Sequence, residues 1–345
     1  MMKISLDKLD SLFALISKER TLYLPIEKAG EIRFAPWSPQ ETVRLDALQT
    51  VKSAKDVFFP QSECYARFQL EKNTINVEAI PPCDDPFVIF GVRACDARSF
   101  ELLDKVFLSE PVDQLYRTRR ENGVVVTLAC TRPDETCFCR NFGIDPTQPG
   151  GDVSAAMLEG QLVLEAHTEK GKALLEKLAQ ALEPAGDDTA KAVAQQAQDT
   201  LAILEKLPYD KLDLESVSKL SELEAFGSGV WNELSQACLG CGTCTFVCPT
   251  CQCYDIRDFD TGNGVTRFRC WDSCMYSEFT QAAGHNPRTT QMERFRQRFM
   301  HKLVYFAANN QGTFSCVGCG RCLKKCPVSL NIVKVIKALG GNANE

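Results

Sequence analysis

The apolar positions of the chain follow two rhythms. Over residues 5–18, Leu6, Leu9, Leu12, Phe13 and Ile16 recur at helical spacing and predict an amphipathic helix. Short extended segments follow at 21–25, 31–35 and 75–79. Residues 87–92 (FVIFGV) and 123–128 (GVVVTL) are apolar throughout, the pattern of strands buried on both faces. Residues 97–107, between them, read as a helix. Strand, helix and strand in that order predict an α/β domain built on a βαβ core, placed at residues 1–150.

Gly- and Pro-rich breaks interrupt the chain at 145–151 (DPTQPGG) and 183–188 (EPAGDD). Residues 169–182 and 188–206 are rich in Ala, Leu, Lys, Glu and Gln, and 209–237 carries further helical stretches. Residues 151–229 are therefore expected to form a mainly helical connecting region. A boundary near Gly227-Ser228-Gly229 opens a third region, 230–345.

The third region carries the densest chemistry. Cys238-x2-Cys241-x2-Cys244-x3-Cys248-Pro249 recurs as Cys316-x2-Cys319-x2-Cys322-x3-Cys326-Pro327. This is the bacterial ferredoxin spacing, whose fourth Cys ligates the other cluster. It assigns Cys238, Cys241, Cys244 and Cys326 to one 4Fe-4S cluster, and Cys316, Cys319, Cys322 and Cys248 to a second. Structural zinc is the alternative, but zinc usually takes its four ligands from two separated C-x2-C knuckles. A third Cys at the same spacing and a proline after the fourth do not serve that need. Gly240, Gly242, Gly318 and Gly320 lie inside the motifs, where they are expected to let the backbone approach sulfide. Between Cys248 and Cys316 lie 67 residues, of which 273–310 read largely as helix, as does 328–339. The expected fold here is a C-terminal α-helical ferredoxin-type domain.

Composition agrees. The chain has 18 Cys in 345 residues, and its start, MMKISLDKLDSLF, lacks the long apolar core of a signal peptide. No uninterrupted apolar run approaches the length of a membrane span. The expected location is the cytoplasm, where clustered Cys serve as metal ligands more often than as disulfides. Residues 226–345 hold 13 Lys and Arg against 8 Asp and Glu, whereas residues 1–225 hold 26 against 37. Positive charge thus accompanies the cysteine motifs, where it eases reduction of an anionic cluster or docks an acidic partner. Arg294, Arg296, Arg298 and Lys302 form a dense run, RFRQRFMHK. It reads as a solvated helix face, or as a surface that docks a partner or shields a cluster. Nucleic-acid binding is not indicated, because no basic stripe with interleaved aromatics is present.

A further set lies in the N-terminal half: Cys95 in GVRACD, then Cys130, Cys137 and Cys139 in ACTRPDETCFC. Cys95 and Cys130 each follow a predicted buried strand. If those strands are parallel neighbours, both thiols emerge at one carboxyl edge, with Cys137 and Cys139 on the loop beyond. This predicts a third iron–sulfur cluster, taken as 4Fe-4S rather than 2Fe-2S by association with the other two. Zinc, or thiols that only pack as small hydrophobes, are the alternatives. Cys64 and Cys83 read as structural. Cys251, Cys253, Cys270 and Cys274, in CPTCQC and RCWDSC, either pack beside the clusters or ligate another metal. His167, His285 and His301 share no motif, and no dinucleotide, Walker or serine-nucleophile signature is present.

GVRACD, the Cys-x6-CFC segment, CxxCxxCxxxCPTCxCYD, WxSCM, AAGHNPR, RxRxxxxHK and CVGCGRCLKKCP occur here in one order. In that order they resemble the iron–sulfur β subunit of cytoplasmic sulfhydrogenases and the corresponding iron–sulfur subunit of anaerobic sulfite reductases. The resemblance is close over about 85–140 and 235–335. It implies an electron-transfer subunit lying between an FAD/NAD(P)H-binding partner and a catalytic subunit. That catalytic subunit would be a hydrogenase, a sulfite reductase or heterodisulfide-reductase-like. The other reading is a self-sufficient redox enzyme with a reactive cluster near Cys251, Cys253, Cys270 and Cys274; a third is a structural metal-binding scaffold.

Overall fold

The structure, a computed structural model, describes residues 1–72 and 74–341. The end of the 230–345 region thus lies outside the described residues. Phe87–Val92 pairs in parallel with Gly123–Leu128, and every residue of both strands is buried. Strand alternation sends their side chains to two cores. Val88, Phe90, Val124, Val126 and Leu128 join Leu12, Phe13 and Ile16 of helix Leu9–Ser17, and Leu174 of helix Glu169–Lys177. Phe87, Ile89 and Val125 join Phe100, Leu103 and Phe107 of helix Ala94–Phe107 and Tyr116 of helix Gln114–Asn122.

Thr21–Lys28 and Val153–Leu158 extend the parallel centre on either side. Antiparallel strands complete a nine-stranded sheet. Its order is Glu183–Pro184, Met2–Ser5, Gln161–Ala166, Val153–Leu158, Gly123–Leu128, Phe87–Val92, Thr21–Lys28, Glu31–Pro36, with Thr42–Val43 also on Thr21–Lys28. The N-terminal part is therefore a mixed α/β sheet domain. The sheet runs past residue 150 through the hairpin Val153–Leu158 and Gln161–Ala166, inside the stretch whose composition favours helix. These strands (VSAAML, QLVLEA) are short and built largely from Ala, Leu, Met and Glu, residues that helices also use.

The C-terminal region is not all helical. Tyr254–Asp260 and Val265–Trp271 form a hairpin that joins Ser62–Leu70 and Ile75–Ala79 in a four-stranded sheet. Both halves of the chain thus contribute to one sheet. Within 273–310 the long helix begins only at Gln291, where Thr290 and Glu293 form a reciprocal capping box. Gln291–Met300 passes through a π-helical turn, His301–Tyr305, into Phe306–Asn309. Phe295, Phe299 and Leu303 from this element pack with Trp231 and with Val333, Val335 and Ile336 of helix Ile332–Leu339. Among the described residues no helix is long and apolar enough to cross a membrane.

Buried ion pairs tie the halves together away from water, among them Arg269 with Glu63 and Arg321 with Asp96. Arg321, inside the second cysteine motif, donates from Nη1 and Nη2 to the Asp96 carboxylate at 2.5 and 2.7 Å, and from Nε to the Thr50 carbonyl at 3.0 Å. The two side chains are 3% and 1% exposed. Removing one member leaves the other charged and unpaired in a dry site, which typically costs about 3–5 kcal/mol. Asp96→Ala is expected to lower the urea unfolding free energy by about that amount. Arg117→Ala, which breaks an exposed pair with Glu121, should change it by less than about 1 kcal/mol. Equal losses in the two variants would show that the buried pair has no special part in joining the halves.

Candidate metal centres

The two cysteine motifs fold alike. The Gly240 and Gly318 amides donate to Cys238 Sγ and Cys316 Sγ, each at 3.5 Å. Gly242 and Gly320, both left-handed, then start the short helices Thr243–Phe246 and Arg321–Lys325, which carry Cys244 and Cys322. Gly318 has a second reason to be glycine. A Cβ there would lie 2.5 Å from the Phe138 carbonyl and 2.6 Å from the Cys139 Cα. The Phe138 amide donates to the Gly318 carbonyl at 3.0 Å. This glycine therefore admits the N-terminal loop that carries Cys137 and Cys139.

Three cavities result. Cys238, Cys241, Cys244 and Cys326 line the first. Cys248, Cys316, Cys319 and Cys322 line the second. Cys95, Cys130, Cys137 and Cys139 line the third. The third is built by the sheet: Cys95 stands in the first turn of the helix after Phe87–Val92, and Cys130 lies just beyond Gly123–Leu128. The cavities adjoin. Arg298 borders the first and second, and Cys319 borders the second and third. Cys241 is exposed, while Cys130 and Cys139 are buried.

Among the described residues no group of three His, Cys, Asp or Glu gathers tightly enough to hold one metal ion. A lone zinc draws its sulfurs to about 2.3 Å from a single point. Here the thiols ring spaces instead. Burial pushes the Cys137 and Cys316 thiols up to about 12, and moves Cys95, Cys139 and Cys322 in the same direction. Such thiols ionise readily only when a metal replaces the proton.

Buried cations stand close by. Lys302, 3% exposed, donates to Thr250 Oγ1 at 2.8 Å and to the Ser315 carbonyl at 3.1 Å at the second cavity. Arg298, also 3% exposed, donates from Nη2 to the Cys244 carbonyl at 3.3 Å, while its Nε and Nη1 have no hydrogen-bond partner. Arg93 borders the third cavity. It donates to the carbonyls of Ala129, Leu45 and Ala47 at 2.7–2.8 Å, and its Nε is unpartnered. The basic run is thus only partly a solvated face, because the four-residue step from Arg298 to Lys302 turns both inward. Arg296 remains nearer the surface, with its guanidinium 3.5 Å from the Phe226 ring centre.

Lys55 carried no signal in the sequence. It is buried, donates to the Cys248 and Cys251 carbonyls at 3.1 and 2.8 Å, and lies 3.7 Å from the Trp271 ring centre. A cation from the N-terminal half thereby holds the loop after the first motif. The remaining cysteines do not form one set. Cys251 lies beside Cys248, and Cys253 lies beside Cys274. Cys270 sits apart among Asp255, Asp272 and Arg257. Cys64 and Cys83 are exposed and so are not core residues.

Residues 237–330 match the family described as a 4Fe-4S dicluster domain. The chain thus carries a 4Fe-4S dicluster domain behind its mixed-sheet N-terminal domain. It is also 33% identical over 318 residues to sulfhydrogenase 2 subunit beta of Pyrococcus furiosus, covering 91% of each chain. The chain belongs to that family, and is an iron–sulfur, electron-transport subunit of the oxidoreductase type. No solved structure matches it.

Gly318→Ala tests the loop contact. The substitution forces a non-glycine residue into φ +59 and against the Phe138 backbone, at a cost of about 1–3 kcal/mol or more. Hydrogen exchange across residues 134–139 should speed up. Gly160→Ala, at φ +70 in open space, should leave that segment unchanged. Unaltered exchange in Gly318→Ala would mean that the loop is held by other contacts.

Proposed function

We propose that this chain is an electron-relay subunit that carries three 4Fe-4S clusters. Cys238, Cys241, Cys244 and Cys326 hold the first; Cys248, Cys316, Cys319 and Cys322 the second; Cys95, Cys130, Cys137 and Cys139 the third. The observation that carries this reading is the trio of adjoining cavities, the first two each lined by four thiols and the third by Cys95, Cys130, Cys137 and Cys139 with Cys319 shared from the second, and with the fourth Cys of each C-terminal motif in the other motif's ring. The unpartnered buried donors of Arg298 and Arg93 suit an anionic sulfide-bearing group, since a buried N–H without an acceptor is costly. Iron–sulfur clusters supply one-electron reduction and oxidation; the protein holds their ligands, excludes water and sets the surrounding charge.

The substrate chemistry belongs to neighbours on this reading. One partner is an FAD/NAD(P)H-binding reductase subunit. The other is a catalytic subunit of hydrogenase, sulfite reductase or heterodisulfide-reductase-like type. The Pyrococcus furiosus relative is named as one subunit of a sulfhydrogenase, which supports the hydrogenase-type assembly first. A reactive centre formed jointly by Cys251, Cys253, Cys270 and Cys274 has little support, because the charges acting on Cys270 are those of Arg257, Asp255 and Asp272 and not those of the other three thiols.

Anaerobic iron and sulfide analysis of the full chain should give about 12 iron atoms, four per cluster. Cys137→Ala/Cys139→Ala should lower this to about 8. Cys326→Ser should damage the cluster of Cys238, Cys241 and Cys244, and Cys319→Ser the other C-terminal cluster, giving different EPR losses. If both variants lose the same signal, the crossed assignment is wrong. The isolated chain should accept electrons from a low-potential dye and oxidise no NADH or NADPH. Rapid nicotinamide oxidation by the chain alone would overturn the relay reading.

A further inference from the structure

We infer that Arg298 is a shared charge for two clusters: its guanidinium serves the cluster of Cys238, Cys241, Cys244 and Cys326 and that of Cys248, Cys316, Cys319 and Cys322 together. The inference rests on the relay reading and adds to it a single residue that sets two potentials.

Three observations carry it. Arg298 lines both C-terminal cavities, whereas Lys302, one helical turn on, lines only the second. The thiols whose charge acts most strongly on Arg298 come from both rings, Cys244 from one and Cys322 and Cys248 from the other, together with Cys251. Those acting most strongly on Lys302 are Cys248, Cys251 and Cys316. Finally, Arg298 is 3% exposed, yet two of its three nitrogens are unpartnered. A guanidinium carries five N–H donors in a planar fork, and an ammonium cannot reach in two directions in the same way. Burying such a fork with idle donors is unfavourable unless acceptors lie in the spaces it faces.

The consequence has a definite sign. Each cluster takes one electron from a reductant such as dithionite, and no bond in the protein forms or breaks. Reduction adds negative charge, so a fixed cation nearby favours the reduced form, and more strongly in a dry site than in water. Arg298 therefore raises both potentials. Lys302 raises the second alone.

EPR-monitored redox titration of the full, cluster-loaded chain tests this, with the two signals assigned through Cys326→Ser and Cys319→Ser. R298Q should shift the reduction equilibrium of both clusters toward the oxidised form by at least about tenfold, or about 59 mV for a one-electron couple. K302Q should shift only the cluster of Cys316, Cys319 and Cys322. Neutralising Arg296, on the same helix, should shift neither. If R298Q fails to retain its clusters, R298K decides. It keeps a charge but not a fork, so at least one potential should fall. Both potentials unmoved in R298Q, or in R298K where R298Q does not load, would overturn the inference; so would a shift of one cluster alone in R298Q. A wild-type chain that lacks two reducible C-terminal cubanes would instead defeat the relay reading itself.

Discussion

Sulfur that is to ligate iron must be thiolate, and thiolate away from water needs compensating charge. Much of the arrangement around the cavities follows from that constraint. Burial alone drives the Cys95, Cys137, Cys139, Cys316 and Cys322 thiols toward their neutral form. Opposing it are amides aimed at sulfur, from Gly240 and Gly318 and from Leu330 to Cys326 Sγ at 3.2 Å. Alongside them stand the cations Arg93, Arg298 and Lys302 at cavity walls. The helix Gln291–Met300 and its π-helical continuation deliver two of these cations from one face. A π turn interrupts regular helix packing, and such turns recur at functional sites.

The same constraint explains why the halves of the chain are interlocked. A wall around a buried ionic group must be complete, and here neither half closes it alone. Gly318 and Cys319 belong to the second motif, yet they border the cavity of Cys95, Cys130, Cys137 and Cys139. Lys55 and Thr50, from the N-terminal half, bind backbone or side chain of the two motifs. The four-stranded sheet takes one hairpin from each half. Separating the halves would open the third cavity and break the buried Asp96–Arg321 pair.

The motifs and the central strands were legible in the sequence for physical reasons. Cluster ligation demands a fixed spacing that few other functions share, and a strand buried on both faces has to be apolar throughout. The placement of Cys95 and Cys130 followed from those strands being parallel neighbours, which the fold has. The hairpin over 153–166 was not legible, because short alternating segments built from Ala, Leu and Glu carry no period that excludes helix. Lys55 was not legible either. Its role depends on a contact with Cys251, far away along the chain, and nothing in KSAKDVFF marks one lysine among several. Arg298 sits between these cases. Its run was conspicuous, but helix phase and packing decide which of its cations turn inward.

Order and exposure give the relay reading a direction in space. The third cavity meets the second at Cys319, and the second meets the first at Arg298, so the three form a file with unlike ends. At one end Cys241 is exposed beside Leu239, which is 66% exposed. At the other, Cys139 and Ala94 are packed with Leu102, Ile144, Phe306 and Val317. An electron exchanged with another protein passes most readily where a ligand thiol reaches the surface. On the relay reading the exposed end suits exchange, and the buried end would suit a site whose potential is set by low polarity and by Arg93. On that reading Arg298, at the junction nearest the exposed end, would act on the step by which charge enters or leaves the chain's interior.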